Sequence, residues 1–202
     1  ALMQICEHYP APALNCAMNF LSTHDTERAI TAIAGEPCNN RDRYWQSKRV
    51  IPSGQMDEAI RRELLGYAMI FTLPGVPCVY YGDERGMEGG RDPFNRMPFV
   101  RSETPLTDFY REAGRVRNEN PALLHGDISL PETGDMSQIL IVRRYNSDVT
   151  AVAANMSDRP WDIETGRGGE VLLSACVENT ARVVISDNYV TIPPRSVVYI
   201  GL

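Results

Sequence analysis

The sequence has 202 residues, 26 acidic and 20 basic, for a net charge of −6, with 43% hydrophobic, 23% charged and 8% aromatic residues. That much apolar content excludes a disordered chain, and no apolar run approaches the ~20 residues of a membrane span. The modest acidic excess repels phosphate, so neither nucleic acid nor a membrane is an expected partner, and the length fits one or two domains.

Texture changes near Pro121, from an α/β segment to an all-β segment. Residues 16–21 read as a buried strand that ends in the polar cluster Ser22-Thr23-His24-Asp25. Residues 26–34 form a short helix stopped by Gly35 and Pro37, and 36–52 read as an exposed polar loop. A longer helix starts at Ser53 or Asp57, either of which can cap it. Ile60, Leu64, Tyr67 and Phe71 make one apolar face, widened by Leu65, Met69 and Ile70, and Pro74-Gly75 end the helix. Residues 77–81 read as a second buried strand, followed by a loop over 82–103. A last helix covers about 107–118, with Leu106, Phe109, Tyr110, Ala113 and Val116 on one face, before Pro121. Strand, helix, strand, helix is the pattern of a parallel sheet with helices outside. Two such strands fall far short of the eight strands and ~250 residues of a closed parallel barrel, so the α/β part is incomplete as a barrel.

Beyond Pro121, runs at 138–145, 149–155, 170–174, 181–186, 188–192 and 196–200 are separated by turn signals and read as a small antiparallel sandwich. Val183 and Ile185 are expected to face one way and Val184 the other. The five cysteines (Cys6, Cys16, Cys38, Cys78, Cys176) are odd in number and lack CxxC spacing. That favours free thiols in a reducing compartment over a disulfide framework or zinc site. With no basic n-region and apolar h-region, the expected localisation is cytoplasmic.

Three clusters could carry chemistry. His24-Asp25 sits at a strand's C-terminal end, where parallel α/β folds place functional groups. A carboxylate beside a histidine can hold substrate hydroxyls or stabilise positive charge, or it can be a structural hydrogen-bonded pair. Without further His or Cys at ligand spacing, metal binding ranks below both. Asp92 and Arg96, in a loop with glycines at 86, 89 and 90, could grip a polar ligand or form an ordinary surface ion pair. Tyr80-Tyr81-Gly82-Asp83-Glu84 reads as packing with satisfied hydroxyls rather than as a sugar-stacking platform. Trp45 is a candidate exposed aromatic. No acidic loop has calcium-binding spacing, and no cofactor is expected.

Taken together, these stretches resemble a known family. Asn19-Phe-Leu-Ser-Thr-His24-Asp25-Thr-Glu-Arg28 is similar to the fourth conserved region of the α-amylase superfamily of glycoside hydrolases. Residues 73–84 (LPGVPCVYYGDE) resemble its passage from helix seven to strand eight, and RDPFNR at 91–96 the following loop of neopullulanase- and cyclomaltodextrinase-like members. The resemblance covers about residues 15–125 by motif and the remainder by architecture. It implies the C-terminal quarter of a (β/α)8 TIM barrel over 1–124 and a β-sandwich domain over 125–202. It also implies hydrolysis of α-1,4 or α-1,6 bonds in α-glucans, maltooligosaccharides or cyclodextrins. Asp25 matches the carboxylate that stabilises the transition state, His24 a histidine bonding the same sugar, and Asp92 and Arg96 contacts to glucose units further along the cleft. Trp45 and Glu27 receive no role. The family's nucleophile and acid/base lie upstream of anything in this sequence, so the chain alone is expected to be inactive and to self-associate through its open strand edges. The alternative is a non-catalytic carbohydrate-binding or scaffold homologue.

Overall fold

The computed structural model describes residues 2–166, 168–178 and 180–202. Two short helices, α1 (Leu2–His8) and α2 (Ala11–Asn15), lead in without burying a residue. They are followed by β1 (Met18–Asn19), α3 (Ala29–Ala34), α4 (Arg43–Lys48), α5 (Met56–Ile70), β2 (Val76–Pro77), α6 (Pro105–Glu119) and α7 (Pro121–His125). The strands β3 (Asp127–Ser129), β4 (Gln138–Tyr145), β5 (Asp148–Asn155), β6 (Trp161–Glu164), β7 (Glu170–Cys176), β8 (Val184–Ile185), β9 (Tyr189–Ile192) and β10 (Ser196–Gly201) complete the chain.

β1 and β2 pair in parallel, Met18 opposite Val76 and Asn19 opposite Pro77. The two strands expected over 16–21 and 77–81 are thus far shorter than their apolar runs. They are also exposed: Met18 is 64% and Val76 47% accessible. Regular strand geometry stops where pairing stops, and among the described residues each of these strands has one neighbour. Gly75 admits the close approach, since at its φ of +100° a Cβ would lie 2.3 Å from the Ala17 carbonyl oxygen.

The apolar period of α5 is realised. Leu65, Tyr67, Ile70 and Phe71 are buried, with Ile60, Leu64 and Met69 partly buried against the same core. Neither Ser53 nor Asp57 caps it: a 3-10 turn over Ser53–Gln55 feeds straight into the helix, and Gln55 at the N-cap makes no side-chain cap bond. α6 begins at Pro105, two residues earlier than expected, and buries Leu106, Tyr110, Ala113 and Val116. The expected loop over 36–52 contains α4, started by the Asp42 carboxylate, which accepts from the Trp45 N–H at 2.8 Å. Cys38 and Ile51, within the same stretch, are buried.

Among the described residues the β-rich part has a five-stranded antiparallel sheet, ordered β3-β4-β5-β10-β7, and a three-stranded sheet, β6-β9-β8. Alternation along β5 and β10 sends side chains to two different cores. Val152, Ala154, Val197 and Tyr199 join the helices α5 and α6. Ala151, Ala153, Val198 and Ile200 meet Ile163, Val190 and Ile192 of the smaller sheet. The five-stranded sheet is therefore a middle layer. Two strands, β3 and β6, and helix α7 arise where no strand or helix is expected from sequence. The run at 181–186 shortens to β8, an edge strand on which Val184 and Ile185 are both exposed. Val183, just before β8, packs against the core with Ile163, Val190 and Ile192.

The helices and the middle sheet are fastened at the C-terminal end of α5. The last carbonyls of a helix lack intrahelical donors. Here Ala68 O accepts from the Tyr199 hydroxyl and Phe71 O, at the C-cap, from Arg117 at 2.5 Å. In the turn just beyond, Arg117 also donates to Gly75 O at 2.6 Å and Arg143 to Thr72 O at 2.5 Å, and Arg143 reaches Gly126 O after α7 at 2.8 Å. All three donors are buried, and positive charge suits this end of the helix dipole. Tyr199→Phe is expected to cost about 1 kcal/mol, one neutral hydrogen bond. Arg143→Met, which strands two carbonyls, is expected to cost about 2–5 kcal/mol; both are read from urea unfolding midpoints.

Candidate functional site

The segment leaving β1 turns sharply. Thr23 N–H donates to Thr26 Oγ1 at 2.8 Å and Asp25 N–H to Thr23 Oγ1 at 3.2 Å. Ser22 points inward, its hydroxyl donating to the buried Asp83 carboxylate. His24 and Asp25 point outward, with side chains 65% and 71% exposed and His24 Nε2 3.1 Å from Asp25 Oδ2. The loop beyond β2 delivers the other pair: Arg96 Nε lies 2.7 Å from Asp92 Oδ1, and Arg96 Nη2 3.8 Å from Asp25 Oδ1. Two segments distant in sequence thus form one line, His24, Asp25, Arg96, Asp92, at the C-terminal side of a parallel strand pair. His24 and Asp25 also edge an open cavity of about 400 Å³ with Met18, Phe20 and Val79 as its apolar wall. A larger cavity, about 640 Å³, lies between α5 and β7 and touches none of the four. Chemically, the line offers carboxylate acceptors, a guanidinium donor and an imidazole on an open face, a set suited to polyhydroxylated ligands.

Below this surface lies a buried polar cluster. Asp83 accepts from Ser22 and from the Tyr67 hydroxyl at 2.5 Å, and faces Arg28 Nη1 at 3.2 Å. Arg28, fully buried, also donates to Tyr81 O at 2.5 Å, and its guanidinium stacks 4.8 and 4.7 Å from the Tyr80 and Tyr81 ring centres. Glu63 sits beside them with the Tyr110 hydroxyl at 3.3 Å. Burial, then the charge of Asp83, raises the Glu63 pKa well above the ordinary carboxylate range. Burial also raises Asp83, against the lowering hydrogen bonds of Ser22 and Tyr67 and the charge of Arg28.

Tyr80 and Tyr81 pack edge to face at 4.7 Å, and the Tyr81 hydroxyl donates to Met97 O at 2.9 Å, in keeping with a packing role. Trp45 is half-buried rather than an open platform, since the guanidinium groups of Arg41 and Arg49 lie 5.2 and 5.6 Å from its ring centre. Glu27, without a role from sequence, pairs with Arg49 at 2.8 Å and lies 3.7 Å from Arg91, tying the α4 region to the 91–96 loop. Sequence reasoning passed over Asn95, which is fully buried and whose side-chain amide reaches the carbonyls of Thr23, His24 and Thr26. Among the described residues no group of three or more His, Cys, Asp or Glu is placed to hold a metal ion.

Known proteins bear on this arrangement. No family model matches the chain. An amylopullulanase of Thermoanaerobacter thermohydrosulfuricus is 36% identical over 138 residues, 67% of this chain and 9% of the relative. A cyclomaltodextrinase of Geobacillus thermopakistaniensis is 25% identical over 167 residues, 80% of this chain and 24% of the relative. The chain belongs to the α-amylase superfamily. The fold agrees: an Anoxybacillus α-amylase structure superposes with a TM-score of 0.71 at 23% identity over 99% of this chain and 40% of its own. This α-amylase-family chain spans only a small part of such relatives: 9% of the amylopullulanase and 24% of the cyclomaltodextrinase. No helix among the described residues is long and apolar enough to cross a membrane.

The buried carboxylate gives a pH signature. Because the folded pKa of Glu63 is raised, the folded state holds a proton that the unfolded chain releases near pH ~4.3, so this group's contribution to stability falls as pH rises from there toward the folded value. Glu63→Gln is expected to abolish that dependence. Its melting temperature should exceed the wild type's near pH ~8, and the gap should close toward pH ~4.5, by scanning calorimetry.

Proposed function

We propose that the chain is the C-terminal part of a retaining glycoside hydrolase acting on α-1,4 or α-1,6 glucosidic bonds of maltooligosaccharides, cyclodextrins or larger α-glucans. Residues 1–124 are read as the last strands and helices of its (β/α)8 barrel and 125–202 as its C-terminal β-sandwich domain. The observation that carries the reading is the meeting of His24, Asp25, Arg96 and Asp92 beyond the C-terminal ends of β1 and β2, the side of a parallel barrel where catalytic groups gather. The names of the matched relatives support the substrate class.

In this reading Asp25 holds sugar hydroxyls at the cleavage point and favours the oxocarbenium-like transition state. His24 bonds the same sugar, while Asp92 and Arg96 grip glucose units along the cleft. Retention requires a nucleophilic carboxylate and a protonated acid/base about 5–5.5 Å apart. Asp25 and Asp92 share Arg96, and Asp25 alone cannot supply both a nucleophile and an acid/base. The nucleophile and acid/base then come from barrel strands outside these residues. Exposed Met18, Phe20, Val76 and Val79 are the face those strands cover, and alone the chain associates with itself. None of the five cysteines forms a disulfide, which supports a reducing, cytoplasmic setting.

The test is turnover of a chromogenic maltooligosaccharide and of β-cyclodextrin by the 202-residue chain and by the longer protein that carries it, each with Asp25→Asn. The longer protein should turn over and lose about 10²–10³-fold in kcat on substitution, the usual value of a transition-state electrostatic contact. The short chain should be inactive. Turnover by the short chain that disappears in Asp25→Asn would sink the reading, and binding without turnover by the longer protein would favour a carbohydrate-binding module. Light scattering of the short chain should show oligomers growing with concentration; a monodisperse monomer contradicts the open-edge argument.

A further inference from the structure

We propose that Asn95 is a positioning residue for Asp25: its buried side-chain amide clamps the turn over 23–26 to the loop over 91–96 and so fixes the separation of the Asp25 carboxylate from Arg96. The inference rests on the role given to Asp25 above. Asn95 Nδ2 donates to His24 O at 2.7 Å and to Thr26 O at 2.8 Å, with Thr23 O at 3.3 Å. An amide nitrogen has two hydrogens, so the two short bonds use both, and the third carbonyl shares one. The backbone on either side of Asp25 is thereby folded around a single nitrogen. Asn95 Oδ1 has no hydrogen-bond partner among the described residues, so the turn uses the side chain as a donor only.

Other bonds of the turn are weaker restraints. Thr23 N–H to Thr26 Oγ1 and Asp25 N–H to Thr23 Oγ1 are exposed, and water can replace either partner. Asn95 is fully buried and cannot be replaced in that way. The loop is also held from its other side. Gly89 donates its N–H to Thr31 Oγ1 at 2.9 Å and accepts from Arg28 N–H at 3.0 Å. A Cβ there would sit 2.6 Å from Phe94 O and 2.9 Å from Asn95 Cα, so the 94–95 backbone closes only over a glycine. Asn95 is followed directly by Arg96, which faces both Asp25 and Asp92. One short segment therefore supplies the clamp for the backbone and the countercharge for the carboxylate. The chemistry also discriminates the amide from its isostere. An aspartate at 95 would set acceptor oxygens against carbonyl oxygens and could hold the turn only when protonated.

The experiment uses the longer protein that carries this chain, as wild type, Asn95→Ala, Asn95→Asp and Asp25→Asn. Hydrogen exchange over residues 22–28 should accelerate about tenfold or more in Asn95→Ala while α5 and β10 keep their protection. The kcat on a maltooligosaccharide should fall about 10²-fold, as expected of a misplaced catalytic group, with a smaller change in KM. Asn95→Asp should regain kcat relative to wild type as pH is lowered, and Asp25→Asn should not. Unchanged exchange over 22–28 in Asn95→Ala overturns the proposal, as does unchanged kcat or protection lost evenly across the whole fold. An inactive wild type refutes the hydrolase reading instead, and the exchange result then decides the clamp by itself.

Discussion

The carbonyl end of α5 is the constraint on which the rest of this molecule depends. A helix that stops inside a protein leaves acceptors that must find donors. Here the donors come from α6 and β10, through Arg117 and Tyr199, and Arg143 of β4 holds the turn that follows at Thr72. The sheet and the helices are consequently not two bodies in loose contact. A side chain of β10 completes the hydrogen bonding of a helix that belongs to the other half of the chain, and one of β4 holds the turn that follows that helix. Immediately after those carbonyls come Gly75 and β2, so the same grip sets where β2 lies against β1, and from there where the 91–96 loop begins.

A second level of organisation sits one layer beneath the candidate site. Asp83 gathers Ser22 from the segment after β1, Tyr67 from α5 and Arg28 from the segment before α3. Each partner belongs to a different element, so the carboxylate acts as a common anchor for the elements around the strand ends. Burying such charges is costly unless they are paired, and the raised pKa of Glu63 beside them is the visible sign of that cost. The exposed residues above carry no comparable burden: His24, Asp25, Asp92 and Arg96 are held by backbone and loop geometry and stay free to exchange protein partners for a ligand.

What could be read in advance depended on whether the signal was local. α5 and α6 follow from apolar spacing, and β4, β5 and β10 from unbroken apolar or alternating runs, because each of those elements buries a continuous face. β1 and β2 were legible as apolar runs but not as two-residue ladders, since their length depends on how many neighbours pair with them. α4 was hidden in a polar stretch whose one helical cue is the Asp42 cap. β3 and β6 are short and carry charged residues. At the site, His24, Asp25, Asp92 and Arg96 announce themselves by residue type, whereas Asn95 does not. A buried asparagine in a loop looks like turn chemistry until the carbonyls it serves, some seventy residues earlier, are brought into place.

β5 and β10 have consequences of a different kind. They form a thin wall between two oily compartments, and β5 builds it largely from the methyl groups of Ala151, Ala153 and Ala154. A wall of that thickness has no slack on either side. An added methylene at Ala154 would push toward the helices, and one at Ala153 toward the small sheet, so tolerance to change along this strand should alternate in which neighbour is disturbed while staying low throughout. The residues freest to vary in such a protein are then those of the outer sheet's edge and the exposed turns, far from the strand ends where the polar line assembles.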